Sequence, residues 1–211
     1  MQLSLRKSDL KAAFICSATK DIRYYLTGIY LEYSPHANGV ANDGILTFAA
    51  TDGHILFAGT APAVFEDDPQ TAPFWMIIPS DAVKAAIKTK NDMVILRSLP
   101  DGRYSLGDTI FAPIDAKFPD FRRVIPASVS GETGHYDPAL LVRGNDALCE
   151  YFGSKKKVYR LNNNGKDAGI MCGDSRDAVV VVMPIRTEGM EYAGHDIPAM
   201  PTVISDTQKA A

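Results

Sequence analysis

The sequence predicts an α+β fold in which one pattern recurs: a strand, a helix and three further strands. The first occurrence begins with alternating residues at 2–6 and ends with a hairpin over 45–58. The second begins with the apolar run 73–79 and ends with a short strand at 109–114. Hydrophobic residues make up 46% of the chain and charged residues 22%, a composition typical of a globular protein. We therefore expect a globular α+β protein with a packed core.

The first unit is predicted from its residue spacing. Ser8 suits the N-cap of a helix over about 9–18. Residues 29–33 alternate between buried and exposed types, which favours a half-buried strand. Within the hairpin, Asp52 and Gly53 favour a tight turn, because glycine tolerates positive φ and aspartate bonds its own backbone.

The second unit repeats this order of elements. After the buried-strand candidate at 73–79, Ser80 is predicted to cap a helix over 80–88. Three short strands follow, separated by turns that contain glycine, at 93–98, 103–107 and 109–114.

A third, partial unit is predicted after residue 126. Asp137 as N-cap and Pro138 in the first turn start a helix that Gly153 ends. Three strand candidates follow it, at 157–164, 168–173 and 178–186. Sequence identity between the units is negligible, so only the pattern of elements repeats. We expect one domain over 1–126, a half-domain over 127–186 and an extended or disordered tail over 187–211.

Charge and leader patterns restrict the function classes. The net charge of −3 argues against a uniformly basic coat for nucleic acid but leaves room for a local basic face. The three cysteines show no CxxC spacing, and the N-terminus has no long apolar leader. No run reaches the length of a membrane span. These features predict a soluble, cytoplasmic protein that does not enter a membrane.

No constellation of catalytic or metal-binding residues stands out. The four histidines lie in separate segments without a partner at ligand spacing, and no nucleotide-binding or hydrolase motif is present. Asp52 and His54 could form an acid–base pair, but a turn breaks the alternation that would align them. We therefore expect no enzyme activity, no metal and no cofactor.

The segment FPDFRRVIP at 118–126 combines apolar residues with two arginines between two prolines. Pro119 and Pro126 prevent one helix across the whole segment. It reads either as an ordinary interdomain connector or as a connector that also lines a groove. In the second case Arg123 would supply a charged rim, and Pro119 and Val124 an apolar wall.

Four segments in the same order resemble the bacterial DNA polymerase sliding clamp, the β subunit of the replicative polymerase. They are DIRYYLTG at 21–28, TDGH at 51–54, FPDFRRVIP at 118–126 and AVVVVMPIR at 178–186. The resemblance implies DNA-clamp-like repeats of a helix on antiparallel sheet, with one full clamp domain, matching the family's middle one, plus a half-domain. The family's first domain and half of its last would be lacking.

The resemblance also implies a groove that takes short linear peptides from DNA polymerases and repair proteins. Carried over position by position, its wall is Leu26, Thr51, Gly53, His54, Leu56, Pro119, Arg123, Val124, Val181, Val182, Met183, Pro184 and Arg186. Two departures lie beside this set, since Ile55 stands where the family usually has arginine and Ile185 where it has methionine. Apolar pockets with a flexible methionine suit varied partner peptides.

Double-stranded DNA is the other partner that the resemblance implies. In the family fold the helices line the inside of a ring, where basic residues hold DNA without reading its sequence. The corresponding contacts would come from Arg23, Tyr24, Tyr25, Lys7, Lys11, Lys84, Lys88 and Arg143. For the two tyrosines, packing beneath a helix is an equal alternative.

The functional prediction is therefore a sliding-clamp-like processivity factor or scaffold for DNA replication. It would form a homo-oligomer, bind DNA non-specifically and hold partners through the groove, with a clamp loader as a further partner. The alternative is a clamp-related module that forms no ring, binds clamp-interacting peptides and regulates or competes with a host clamp.

Overall fold

The computed structural model describes residues 1–36, 44–67, 72–154, 159–173 and 175–186. The predicted tail at 187–211 and the start of the strand candidate at 157–164 lie outside these ranges. The strands are β1 (Gln2–Arg6), β2 (Gly28–Pro35), β3 (Gly44–Thr51), β4 (Ile55–Pro62), β5 (Val64–Phe65), β6 (Phe74–Pro79), β7 (Met93–Ser98), β8 (Tyr104–Leu106), β9 (Thr109–Phe111), β10 (Leu161–Asn162), β11 (Gly169–Cys172) and β12 (Ala178–Val182). The α-helices are α1 (Lys7–Cys16), α2 (Ser80–Ala86) and α3 (Pro138–Phe152), and single 3₁₀ turns cover Tyr24–Thr27 and Phe121–Val124.

Two antiparallel sheets carry the recurring pattern that the sequence predicts. One has the strand order β5-β1-β7-β8-β9 and the other β10-β11-β12-β4-β3-β2-β6. The first strand of each unit joins the other unit's sheet, because β1 pairs with β7 and β6 pairs with β2. Strands β10, β11 and β12 extend the second sheet through the pairing of β12 with β4. The predicted α+β class with helices on antiparallel sheets is therefore confirmed.

The main apolar cluster draws side chains from both sheets and all three α-helices. Tyr33, Phe48 and Phe57 are its largest fully buried members. Successive strand residues face opposite sides of a sheet, so each strand gives only alternate residues to this cluster. A smaller cluster covers the opposite face of the longer sheet, where Phe118 and Phe121 of the connector pack on it.

One of the three helix N-caps that the sequence predicts agrees with the structure. Asp137 is the N-cap of α3, as predicted, and its side chain accepts a hydrogen bond from the amide of Ala139 at 2.8 Å. The other two predicted caps are wrong. Helix α1 follows β1 directly, with Arg6 in the N-cap position, so Ser8 lies inside the helix. Ser80 is likewise the first residue of α2, and its hydroxyl donates to the carbonyl of Thr27.

Helix α1 is largely buried between the sheets and α3. Its Asp9 has no exposed surface and forms an ion pair with Arg6 at 2.8 Å. Burial raises the pKa of the Asp9 carboxyl, although the neighbouring guanidinium opposes that shift. Since α3 packs against α1 and β12 adjoins β4, the third unit is joined to the first by both a helix contact and a sheet contact.

Gly28 marks a close approach between β2 and β6 and yields a test of this packing. A β-carbon there would lie 2.5 Å from Cγ2 of Ile77 and 2.9 Å from the carbonyl oxygen of Ile78. The backbone carbonyl cannot move without breaking the strand pairing. We expect Gly28→Ala to lower the free energy of unfolding by about 1–3 kcal/mol, measured by urea denaturation. The exposed substitution Ser128→Ala is the control, and equal stability of the two variants would contradict the packing described.

Candidate peptide-binding groove

Four segments that are distant in sequence meet at one groove of about 230 Å³. They are the stretch at 23–26, the β3–β4 turn with the start of β4, the connector at 118–126 and the end of β12 with Met183. Nine of the thirteen residues predicted for the wall line it: Leu26, Thr51, Gly53, His54, Leu56, Pro119, Val124, Val181 and Met183. The fold therefore brings together the turn, the connector and the last strand, the segments from which the resemblance builds the groove.

The turn is held by its own side chains. The Oδ1 atom of Asp52 accepts hydrogen bonds from the amides of His54 at 2.8 Å and Ile55 at 3.0 Å. The hydroxyl of Thr51 donates to the carbonyl of Ile55 at 2.6 Å and accepts from the amide of Gly53 at 3.0 Å. Gly53 has a φ of +96°, a conformation that residues with side chains rarely adopt. Together these contacts fix where His54 stands on the groove.

Two arginines reach the same turn from outside the hairpin. Arg143 of α3 donates from Nη1 to Oδ2 of Asp52 at 2.6 Å. Arg23 donates to the carbonyl of Asp52 at 3.3 Å, while its main partner is Asp21 at 2.7 Å. Burial raises the pKa of the Asp52 carboxyl, but the bonds from Arg143 and from the two turn amides outweigh it and hold the pKa below its ordinary value of 3.8. Asp52 is therefore a charged group shared by the turn and α3.

The connector forms the second wall. Its two phenylalanines are anchored on the sheet, since the rings of Phe118 and Phe121 lie 5.2 Å and 5.8 Å from that of Tyr30. Arg122 adds an ion pair with Glu32 of β2 at 2.8 Å. With these residues fixed, the 3₁₀ turn presents Val124 to solvent, 48% exposed.

The third wall is the end of β12. Val181 faces the groove, whereas Val182 faces the main cluster on the opposite side and is 0% exposed. A run of valines conceals which residues face out, because the alternation that would reveal it is missing. The amide of Met183 donates to the carbonyl of His54 at 2.8 Å, so the main chain itself joins this wall to the turn. Pro184 and Arg186 follow Met183 and lie outside the groove lining.

Arg123 also lies outside the groove. Its side chain is 84% exposed and pairs with Asp120 at 2.9 Å, and it borders two neighbouring recesses, one of which shares Tyr25, Pro119 and Asp120 with the groove. The groove has further lining residues that were not among those predicted for it: Arg23, Tyr25, Ile55, Asp120 and Phe121. Four of them belong to the motif segments and Ile55 directly follows one, so taking whole segments instead of single positions would have included all but Ile55.

The cations predicted to contact DNA are mostly engaged with acidic or carbonyl groups. Lys11 of α1 pairs with Glu150 of α3 at 2.7 Å, and Lys7 lies 3.7 Å from Asp92. Arg23 and Arg143 are held as described above. Lys84 and Lys88, by contrast, are exposed and have no ion pair within the part of the chain that the structure describes.

The two predicted tyrosines differ in exposure. Tyr24 is 57% exposed, and its hydroxyl lies 3.4 Å from the carbonyl of Asp115. Tyr25 is half-buried and lines the groove. The rings meet edge to face at 6.0 Å. The exposed ring of Tyr24 is thus accessible from solvent, whereas Tyr25 packs along the groove.

The groove has the chemistry of a binding surface, with apolar walls and few polar groups at its edge.

Within the described ranges, no group of three or more His, Cys, Asp or Glu side chains is placed to hold a metal ion. None of the helices in these ranges combines the length and apolar content needed to cross a membrane.

The lowered pKa of Asp52 predicts an acid-dependent contribution to stability. Above pH 3.8 the carboxylate and its bond from Arg143 are present in full, and as the pH falls through the lower folded pKa they are lost. We therefore expect the stability advantage of the wild type over Asp52→Asn to stay constant from about pH 7 to 5 and to shrink below pH 3.8. Urea denaturation across this range measures it. With Asp108→Asn as the exposed control, an advantage that grows on acidification would contradict the ion pair.

No protein-family model matches the chain. In sequence it is 30% identical over 133 residues to the β sliding clamp of Pseudomonas putida KT2440. It is 31% identical over 131 residues to that of Pseudomonas aeruginosa. These matches cover 59% of this chain, which spans about a third, 32%, of the length of the curated relatives.

Solved structures extend the likeness to most of the chain. The DNA polymerase III subunit beta of Pseudomonas aeruginosa matches with a TM-score of 0.60 and 20% identity, over 88% of this chain and 66% of that one. The sliding clamp of Bacillus subtilis matches with a TM-score of 0.63 and 13% identity, over 89% and 64% of the two chains. At these identities the structures establish the fold. We conclude that the chain has the sliding-clamp fold and resembles the bacterial β sliding clamps in sequence.

Proposed function

We propose that this protein is a sliding-clamp-like processivity factor or scaffold of DNA replication, which binds partner proteins by short peptides in the groove. The observation that carries the proposal is the convergence of the turn, the connector and β12 on one apolar groove, in a chain with the sliding-clamp fold. The proposed partners that bind through such peptides are DNA polymerases and repair proteins, and a clamp loader is a further proposed partner. The role is one of binding, not catalysis.

The lining of the groove supports a peptide with an apolar end. Leu26, Leu56 and Val181 form its buried floor, while Val124 and Met183 stay 48% and 43% exposed at its edge. Removing these two side chains from water on binding supplies a driving force without any rearrangement of the core. The thioether of Met183 can adjust to side chains of different shape.

The charge distribution supports non-specific and modest attraction to DNA. Lys84 and Lys88 lie on and just after α2, and Tyr24 is exposed near Arg23. Phosphate contacts of this kind carry no sequence information and weaken with salt. Lys7 and Lys11, which are paired with acidic groups, would contribute less.

Substitution of Met183 tests the groove. A fluorescein-labelled decapeptide ending in leucine and phenylalanine should bind the wild type, and Met183→Glu should weaken binding at least about tenfold, because a carboxylate would have to be desolvated against an apolar end. Fluorescence anisotropy measures both affinities. The side chain is exposed, so thermal stability should be little changed.

Ile185→Glu is the matched control. Ile185 is 47% exposed two residues further along and lies outside the groove lining, so the same added charge should leave peptide affinity within about twofold. A second control is the peptide with serine in place of leucine and phenylalanine. An equal loss of peptide affinity in Met183→Glu and Ile185→Glu, or equal binding of the two peptides, would contradict binding in the groove.

We further propose that the protein forms a homo-oligomer that encircles DNA, as its resemblance to the sliding clamps implies. We expect light scattering to show more than one chain per particle. On a nicked circular plasmid the protein should be retained at moderate salt and released when the circle is cut, since only encirclement depends on an unbroken contour.

The topological test has its own control. A basic protein that binds DNA without encircling it should be retained equally on circular and linear forms. The same behaviour by this protein, or a monomer at every concentration up to about 1 mM, would contradict the ring while leaving the peptide groove to be judged by Met183→Glu.

A further inference from the structure

Arg143 joins two helices to the turn at the groove. It lies in α3, and its Nη2 and Nε atoms donate to the carbonyl of Ile15, in the last turn of α1, at 3.0 Å and 3.3 Å. Its Nη1 atom donates to Oδ2 of Asp52 at 2.6 Å. One planar guanidinium therefore binds the end of α1 and the β3–β4 turn at the same time.

The carboxylate of Asp52 divides its two oxygens between these contacts. Oδ2 receives Arg143, and Oδ1 receives the amides of His54 and Ile55. Rotation of the carboxylate away from Arg143 would also displace Oδ1 from the two amides. The orientation that Arg143 imposes on Asp52 is thus transmitted to the backbone of the turn.

The β3–β4 turn sets the position of part of the groove wall. Gly53 and His54 line it, and the carbonyl of His54 accepts the amide of Met183, which continues the pairing of β4 with β12. A displacement of the turn would therefore also displace Met183. The effect reaches the groove although Arg143 itself is not part of its lining.

We propose that Arg143 is a positioning residue for the peptide groove and not a DNA contact. The inference rests on the proposed peptide-binding function and adds a residue that acts on it through Asp52. Charge-assisted bonds of this geometry are strong, and removal of Arg143 would leave the half-buried carboxylate of Asp52 without its charged partner. The side chain is only 34% exposed and is committed to protein acceptors, which leaves little of it for a phosphate.

The identity of the side chain matters because two acceptors must be reached at once. Arginine has donors on three nitrogens in a rigid fork, whereas lysine has one nitrogen. A lysine at this position could bind Asp52 or the Ile15 carbonyl but would not hold both in this geometry. The arginine therefore couples the contact between α1 and α3 to the shape of the groove.

The test compares peptide affinities of the wild type, Arg143→Gln and Arg143→Lys. We expect Arg143→Gln to weaken binding of the labelled decapeptide about tenfold and Arg143→Lys to fall between it and the wild type. Arg97→Gln is the matched control, since Arg97 lies on the other sheet and bonds Gln2, and it should change affinity less than about twofold. Thermal unfolding of each variant identifies any general loss of fold.

Asp52→Asn supplies the second arm. Asparagine keeps an oxygen for the amides of the turn but loses the charge that holds Arg143. If the two residues act as one unit, the double variant should bind the peptide no more weakly than the weaker single variant. Effects that multiply would show independent action and would overturn the proposal.

A readout without peptide separates this inference from the proposed function. Backbone amide chemical shifts of Gly53, His54 and Ile55 should change in Arg143→Gln and stay constant in Arg97→Gln. If the wild type binds no peptide, the peptide-binding function fails, while these shifts still decide whether Arg143 positions the turn. Unchanged shifts in Arg143→Gln would overturn the inference.

Measurements of DNA affinity test the alternative role, in which Arg143 contacts a phosphate of DNA. Loss of a true phosphate contact lowers the slope of log affinity against log salt by about 0.9. We expect such a decrease for Lys84→Gln and little change for Arg143→Gln. A full decrease for Arg143→Gln, with unaltered amide shifts, would identify Arg143 as a DNA contact.

Discussion

The pairing of β12 with β4 is the constraint on which the rest of the structure depends. Five residue pairs, from Ala178 with Gly59 to Val182 with Ile55, join the third unit to the sheet of the first. Through this register Val180 and Val182 enter the main core and Val181 reaches the opposite face. Without the pairing, α3 would lose the strand on which it packs and the groove would lose a wall. A slip by one residue would reverse both faces at once.

The local elements could be predicted where a residue acts on its own neighbours. The turn at Asp52 and Gly53 and the cap at Asp137 depend on hydrogen bonds within a few residues, so both can be predicted from the sequence. The caps at Ser8 and Ser80 failed because β1 and β6 run straight into their helices, leaving Arg6 and Pro79 at the cap positions. There, sheet pairing overrode the local preference.

The candidate site could be predicted as a set of segments but not as a set of contacts. The motif segments identified most of the lining, yet the role of Arg143 depends on a side chain that reaches a residue 91 positions away. Ion pairing explains why some cations predicted to contact DNA are engaged within the protein, since Lys11 meets Glu150 only after α1 and α3 have packed. Sequence patterns place a cation on a helix, but tertiary structure determines whether its charge remains available.

The bond from the Met183 amide to the His54 carbonyl has a consequence for how such a groove can change over evolutionary time. It uses only peptide groups, so it does not depend on which side chains stand at positions 54 and 183. These two side chains can therefore change to suit new binding partners while the backbone that joins the two strands stays the same. Divergence in ligand preference is thereby uncoupled from divergence in architecture.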